Sequence, residues 1–521
     1  MSGPYRSSKP LSALLESFER ARVKPGRESL EPSQLGSIVL SGLSHDSRHV
    51  KAGDAFFCLS GEHFDGNNFA KDAVAKGALL VVSENASLEC SAPVVVVDDV
   101  RLALALASNA FYESPSSKLR LLGVTGTNGK TTNTYLVKHI LNHAGKQAGL
   151  VGTLGSHWTG ADGIPHVDES LHTTPQAPEL QQTLARMLAD GISHVVMEAS
   201  SQALALKRVD GCQFASACLT NITQDHLDFH KTMEQYWHAK LRLFELLNAS
   251  AAANKHAIVN LDEPYAPQFL KVVSKDVKVL TYSWSGQADL NVRSAQFDFS
   301  GTHLELATPA GDCRLHLKLN GPFNVYNVMS ALSICLSEGV PLEVCKQALE
   351  LFAGVPGRFQ IVSSKEAEAI EEPLCIVDYA HTPDGLRNIL NAARTLVPSK
   401  GKLIAVFGCG GDRDTSKRPQ MGEIAEQLAD AVIVTSDNPR TENPEKIISE
   451  ILAGINRLAA VQVEPDRARA IDQAVTGAQT KDVIVIAGKG HENYQILADK
   501  TISFDDRAHV KSALKLRRDH R

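Results

Sequence analysis

A glycine-rich turn between an apolar run and a helical one constrains this chain more than any other feature. In LLGVTGTNGKTTNTYLVKHIL, residues 121–141, a strand-like run enters, GTNGKTT turns, and an apolar-periodic segment leaves. Glycines let backbone N–H groups close round phosphate oxygens, and the N-terminus of the following helix adds positive potential. Lys130 is then placed for the terminal phosphates and Thr131 for Mg²⁺. The spacing departs from the full G-x-x-x-x-G-K-[ST] motif, because Gly126 stands two residues late. An ordinary strand-to-helix turn also uses glycine. Here strand, glycines, lysine, hydroxyl and helix follow in order, which favours a nucleotide site at Gly126, Thr127, Asn128, Gly129, Lys130, Thr131 and Thr132.

A chain of 521 residues exceeds one core, so several domains are expected. Breakers divide it into three: 1–115, ending near YESPSSK; 116–355, ending near GVPGRF; and 356–521. The fold class is α/β: a small N-terminal α/β domain, a central P-loop-type ATPase domain with a mostly parallel sheet, and a C-terminal Rossmann-like domain. In the last, LCIVDYA, KLIAVFG, DAVIVTS and DVIVIAG read as buried strands alternating with helical patterns, which implies right-handed crossovers and a parallel sheet. The polar clusters His381, CGGDRD, DNPR and KGHE each follow one of these strands, so four loops should meet on one rim beyond the carboxyl ends. Strand ends also carry polar loops without function, but Gly-rich turns coincide with charges in three of the four.

Composition excludes other classes. A net charge of -6 without a dense Lys/Arg block argues against nucleic-acid binding. Nine scattered cysteines without a CxxC pair argue against structural zinc or a disulfide framework and fit a reducing cytoplasm. No run reaches the length of a membrane span, and the first residues do not read as a signal peptide. A cytoplasmic monomer with small-molecule substrates is expected.

Two more elements suit the central domain. SHVVMEASS is a strand ending in Glu198, a carboxylate available to a metal. ASACLTNITQDHLDFHKTMEQYWHAKLRLF is a strand, a His/Asp-rich turn and a helix. Its His226 reads as metal ligand or structural histidine. Its Lys240, taken alone, reads as a solvated surface lysine.

In their combined order, GTNGKTT, MEASS, LTNITQDHLDFHKTMEQYWHAKLRLF, LNGPFNVYN, GVPGRF, VDYAHTPD, GCGGDRD, DNPR and GKGHE resemble the Mur ligases of peptidoglycan synthesis, specifically those of the third amino-acid addition. DSRHVKAGDAFFCLSGEHFDG matches that family's uridine-nucleotide domain, so the resemblance spans almost the whole chain. It implies an ATP-dependent ligase that adds meso-diaminopimelate to UDP-N-acetylmuramoyl-L-alanyl-D-glutamate through an acyl phosphate. It implies catalytic roles for Lys130, Glu198, His226 and Lys240. It also makes Thr131, Glu198, His226 and a CO₂-derived carbamate on Lys240 the Mg²⁺ ligands, which reverses the surface reading of Lys240. By the same resemblance Asn324, Asn327, Arg358, Asp378 and His381 bind ATP, although Asn324 and Asn327 also suit helix capping. Ser47, Thr173, Thr174, Ser200 and Arg208 match positions holding the UDP-linked substrate. Gln202 departs from the family's usual histidine, and Leu206 stands where a polar residue is frequent.

The stretch TSDNPRTENP, residues 435–444, bears on the added amino acid. Diaminopimelate differs from lysine by a carboxylate beside the distal amine, and a guanidinium matches a carboxylate bidentately. Arg440 is assigned to that carboxylate, with Asn438 adding a donor. Glu492 and the Gly488 carbonyl are assigned to the ammonium, Arg413 to the other carboxylate, and Asp437 to orienting the group. A bare pairing of Asp437 with Arg440 across the turn is the alternative. Three rival functions share parts of the pattern: a lysine-adding relative, a folylpolyglutamate synthetase, and an ATP-binding switch without ligase activity. Arg440 disfavours the first, and the N-terminal block and GTNGKTT disfavour the second.

Overall fold

The computed structural model describes residues 8–16, 22–24, 38–61, 64–169, 172–298, 300–363, 372–457 and 461–519. Half of the N-terminal stretch read for a leader, residues 1–24, lies outside them, as do residues 62 and 63 of the uridine-domain motif.

The first sheet has five strands in the order Arg22–Lys24, Val94–Val96, Leu80–Ser83, Asp54–Phe57, Gly42–Ser44. All pairs are parallel except the first. The apolar runs GALLVVS and APVVVV supply two of its inner strands, and helix Val100–Phe111 covers the sheet. Asp99 starts that helix by accepting the Leu102 N–H at 2.8 Å.

The second sheet has eleven strands. Strand Arg120–Thr125 lies between His194–Glu198 and Phe214–Leu219, parallel to both. All three are fully buried apart from Arg120, as strands covered on both faces must be. Both ends of the sheet turn antiparallel. At one end Gly311–Leu317 alternates exposed and buried from Cys313 onward, the period-two mark of a strand with one wet face. Helix Lys130–His143 leaves the glycine turn with Leu136, Val137, Ile140 and Leu141 facing the core.

The third sheet runs Gln360–Val362, Leu374–Asp378, Val483–Ala487, Leu403–Phe407, Ala431–Val434, Val461–Val463. All pairs are parallel except the first. The four strands read from sequence form its centre. The two edge strands are three residues long and only partly buried, too short for an apolar run to announce them.

Behind this sheet's carboxyl ends lies a fully buried ion pair. Arg467 Nε and Nη2 each donate to Asp506 at 2.8 Å, with both side chains 0 % exposed. Arg467 also donates to the carbonyls of Ser436, at 3.3 Å, and Ala487, at 3.0 Å. It thereby ties two strand ends that lead into the rim loops. Removing one partner strands a charge, so Arg467→Met is expected to lower stability by about 3–5 kcal/mol. A urea titration checks this, and an unchanged midpoint refutes it.

Candidate active site

The glycine turn folds tightly on its neighbours. Gly126 has φ 149° and Gly129 φ 85°, and a Cβ at Gly126 would stand 1.9 Å from Thr220 Oγ1. Only glycine fits there. Lys130 Nζ donates to the carbonyls of Gly126 and Thr127, both at 2.8 Å. Burial pushes its ammonium pKa down, while Glu198 and Asp225 oppose the shift. Thr131 accepts from Arg358 Nη2 at 3.2 Å, and Arg358 lies over the Tyr379 ring at 4.6 Å. Arg358 Nε is buried and has no partner.

Glu198 is 1 % exposed at the end of its strand and accepts from Thr153 N at 2.9 Å and Thr153 Oγ1 at 3.1 Å. His226 has φ 53°, and its Nε2 lies 3.4 Å from Asp225 Oδ2. Burial holds its imidazole below the usual histidine pKa, against the pull of Asp225. Burial also raises the Asp225 carboxyl, but His226, His381 and Lys130 together bring it below its ordinary value.

Lys240 corrects the bare-sequence reading: it is 1 % exposed, not a surface lysine. Helix Met233–Ala249 buries Tyr236, Lys240, Leu243 and Leu247, one stripe at helical spacing. Lys240 Nζ donates to Gly126 O at 2.8 Å and sits over the Tyr236 ring at 4.4 Å. Burial, and then the Lys130 charge, push its pKa well below the usual lysine value. Burial therefore favours the uncharged form of an amine that stands against the glycine turn.

Asn324 and Asn327 are not caps. They lie inside helix Pro322–Ser337, where Asn324 Nδ2 donates to Asn320 O at 2.8 Å and Asn327 Nδ2 to Asn324 Oδ1 at 3.0 Å. Asn327 Oδ1 closes on Gly129, where a Cβ would approach it to 2.4 Å. Asp378 accepts from the N–H groups of Phe359 and Ala380, each at 2.7 Å, and burial raises its pKa. Burial also lowers that of His381, to about 4.

A cleft of about 750 Å³ opens between the second and third sheets. One wall carries Thr173, Ser200, Arg208 and His226; the other carries His381, Arg413, Asp437, Asn438, Arg440, Gly488 and Glu492. The four strand-end loops thus converge. Arg208 Nη1 donates to Thr174 O at 3.0 Å, whereas its Nε is buried without a partner. Burial, then repulsion from Arg101, lowers its pKa to about 10. Such a guanidinium suits an anionic ligand. Gln202 and Leu206, the two departures from the family pattern, line the same wall. Thr174 lies behind it, 0 % exposed, donating to Glu198 O at 2.7 Å. Ser47 does not line the cleft; it follows the edge strand Gly42–Ser44 of the first sheet, with its carbonyl accepting from Lys76 Nζ at 2.7 Å.

On the opposite wall Arg440 has φ 52°, a left-handed backbone that arginine rarely adopts. Its Nη1 donates to Gly411 O at 2.7 Å rather than to Asp437. Gly488 has φ 121°, and a Cβ there would meet Asp437 Oδ2 at 2.4 Å. Asn438 Nδ2 donates to Glu492 Oε2 at 2.9 Å. Arg413 is exposed and donates only weakly, to Asp412 O at 3.4 Å.

Sequence reasoning passed over Asp225, Tyr236 and Asp384. Tyr236 OH bonds Thr127 Oγ1 at 2.9 Å. Asp384 Oδ2 accepts from Asn128 Nδ2 at 2.9 Å and Thr223 Oγ1 at 3.2 Å, joining helix Pro383–Arg394 beside the third sheet to the glycine turn. Asp225 and Asp384 sit within quoted motifs, but nothing in the residues themselves distinguishes them from surface acids.

Thr131 and Glu198 are hard oxygen donors of the kind Mg²⁺ prefers. Among the described residues, no three His, Cys, Asp or Glu side chains converge as a metal cluster.

Comparison with known proteins places three family profiles along the chain: the Mur ligase family catalytic domain over residues 39–112, the Mur ligase middle domain over 124–335, and the Mur ligase glutamate ligase domain over 357–490. A protein of Gloeobacter violaceus named UDP-N-acetylmuramoyl-L-alanyl-D-glutamate--2,6-diaminopimelate ligase is 47 % identical, over 94 % of this chain and 97 % of its own. One of the same name from Thermosynechococcus vestitus is 45 % identical, over 97 % and 98 %. A solved structure bearing that enzyme name superposes with a TM-score of 0.67 at 33 % identity, covering 99 % of this chain and all of its own.

Proposed function

The chain belongs to the Mur ligase family, and we infer that it is the ATP-dependent ligase that joins 2,6-diaminopimelate to UDP-N-acetylmuramoyl-L-alanyl-D-glutamate. The observation that carries this reading is one shared cleft, lined on one wall by Thr173, Ser200 and Arg208 and on the other by the Asp437–Arg440 turn and Glu492. A carboxyl donor and an amine acceptor can meet there.

In the mechanism we propose, the γ-phosphoryl group of ATP passes to the D-glutamate carboxylate, giving an acyl phosphate and ADP. The amine of diaminopimelate attacks the acyl carbon, the C–O bond to phosphate breaks, and the nitrogen gives up its proton as the amide forms. Catalysis is mainly positioning and charge stabilisation. Lys130 moves from its two carbonyls to the phosphoryl oxygens. Arg358, already beside Thr131, crosses from the third unit to the same oxygens. Asn324, Asn327, Asp378 and His381 hold the nucleotide. Arg208 orients the muramoyl peptide with Thr173 and Ser200, Thr174 braces Glu198 behind them, and Ser47 serves the distant UDP end.

Thr131, Glu198 and His226 would hold Mg²⁺, and a carbamate on Lys240 would supply an anionic oxygen for a second ion. Bound there, Mg²⁺ neutralises charge on the phosphoryl oxygens. Arg440 and Asn438 read the distal carboxylate, Glu492 and Gly488 O take the neighbouring ammonium, Arg413 takes the other carboxylate, and Asp437 orients the group. We further propose three domains with boundaries near 115 and 355. The protein acts on small molecules as a cytoplasmic monomer; no described helix is long and apolar enough to cross a membrane.

The test is phosphate release with ATP, Mg²⁺ and UDP-muramoyl dipeptide. Release is expected with meso-diaminopimelate, with L-lysine lower by roughly a hundredfold or more, because lysine leaves the guanidinium without its carboxylate. Equal release with lysine overturns the specificity reading. Release indifferent to any amino acid overturns the ligase.

A further inference from the structure

We propose that Lys489 is the positioning residue of the amino-acid pocket: its ammonium fixes the orientation of Asn438 and Glu492 and so sets recognition of the distal end of diaminopimelate. Lys489 is 0 % exposed. Its Nζ donates to Asn438 Oδ1 and to Glu492 Oε2, each at 3.0 Å, and lies over the Tyr494 ring at 5.5 Å. An ammonium has three N–H donors and no acceptor. Two are used on oxygens, and the aromatic face covers another side.

These bonds determine what the neighbours offer. Asn438 Oδ1 also accepts from Ile496 N at 3.0 Å. With two donors on that oxygen, the amide keeps its Nδ2 toward Glu492 Oε2, at 2.9 Å. Glu492 Oε2 then takes two donors, while its Oε1 accepts from no described residue. The carboxylate is held by one oxygen and free at the other, beside a cleft that Asn438, Glu492 and Tyr494 all line. Stability alone does not explain the lysine, because an apolar residue of similar shape usually serves a buried position at least as well as an ion pair. Without the ammonium, Asn438 loses one of the two donors that fix its flip, and Glu492 loses the charge that anchors its rotamer.

The inference rests on the reading of Glu492 as acceptor of the distal ammonium, and the experiment separates the two. Steady-state constants are measured for meso-diaminopimelate and for 2-aminopimelate lacking the distal amine, in the full-length protein and in Lys489→Met, Lys489→Arg and Glu492→Gln. Lys489→Met is expected to raise KM for diaminopimelate roughly tenfold to a hundredfold, with kcat within about threefold. KM for ATP stays unchanged, KM for the analogue rises by a smaller factor so that the preference for diaminopimelate shrinks, and Lys489→Arg restores part of it. Equal losses with both amino acids, or an intact preference in Lys489→Met where Glu492→Gln has lost it, overturn the role of Lys489. An intact preference in Glu492→Gln overturns the reading of Glu492 instead. Thermal unfolding checks each variant, and Lys489→Gln, which keeps an N–H donor but no charge, replaces the methionine variant if that does not fold.

Discussion

Lys240→Ala is expected to abolish ligation, lowering kcat by about a thousandfold or more while nucleotide affinity persists. The reason is the chemistry open to a buried lysine amine. Burial and the adjoining Lys130 charge depress its pKa well below the ordinary range, which favours the uncharged, nucleophilic form. Such an amine adds to CO₂: an N–C bond forms, one proton leaves, and a cation's place is taken by a carboxylate. That carboxylate would stand within reach of the turn whose Gly126 carbonyl Lys240 now contacts at 2.8 Å. Label from ¹³C-bicarbonate should appear on residue 240 of the wild type and be absent from the variant. Incorporation should rise with pH, as more of the amine is deprotonated. The linkage has a definite sign. The folded pKa lies below the unfolded one, so the unfolded chain binds the extra proton, and this residue's contribution to stability falls as pH drops from the unfolded pKa toward the folded one. An active Lys240→Ala protein, or an unlabelled wild type, would end the carbamate proposal.

The second large effect is expected at Arg440. Removing its guanidinium should cost about 2–5 kcal/mol of diaminopimelate recognition, or roughly thirtyfold to several thousandfold in kcat/KM. ATP binding should be spared, since Arg440 lies on the rim and the nucleotide turn lies beyond the opposite wall. Arg440 Nη1 donates to Gly411 O, so the guanidinium has a neutral partner that a carboxylate readily displaces. Residues behind it keep the loop in place: Arg418, 0 % exposed, pairs with Glu442 and Glu450 at 2.6–2.9 Å. Loss of activity without loss of fold is therefore the expected pattern. Unchanged kinetics with diaminopimelate would remove Arg440 from the recognition site.

Much of this was legible in the sequence. The glycine turn, the strand ending in Glu198 and the four C-terminal strands follow from apolar runs and turn residues, which are local signals. The convergence of the rim loops follows from parallel topology. Lys240 was misread without the family resemblance because lysine is so often solvated. Its place in the stripe Tyr236, Lys240, Leu243, Leu247 was the overlooked sign, since a charge inside an apolar helical stripe must be buried or paired. Asp225 and Asp384 were invisible for a different reason. Their importance arises from residues more than ninety positions away in the chain, His381 and Lys130 for the one and Asn128 for the other. The short edge strands were missed because three residues carry too little periodicity to read.

The backbone at residue 440 limits how a descendant of this protein can change its diet. A left-handed φ of 52° penalises most side chains by about 1–2 kcal/mol, with glycine exempt and asparagine or aspartate tolerated. With Arg440 read as the selector of diaminopimelate, as proposed above, drift toward lysine use is expected to pass through a narrow set of replacements at this codon, or to rebuild the loop. Asparagine and glycine are the substitutions a laboratory selection should recover first.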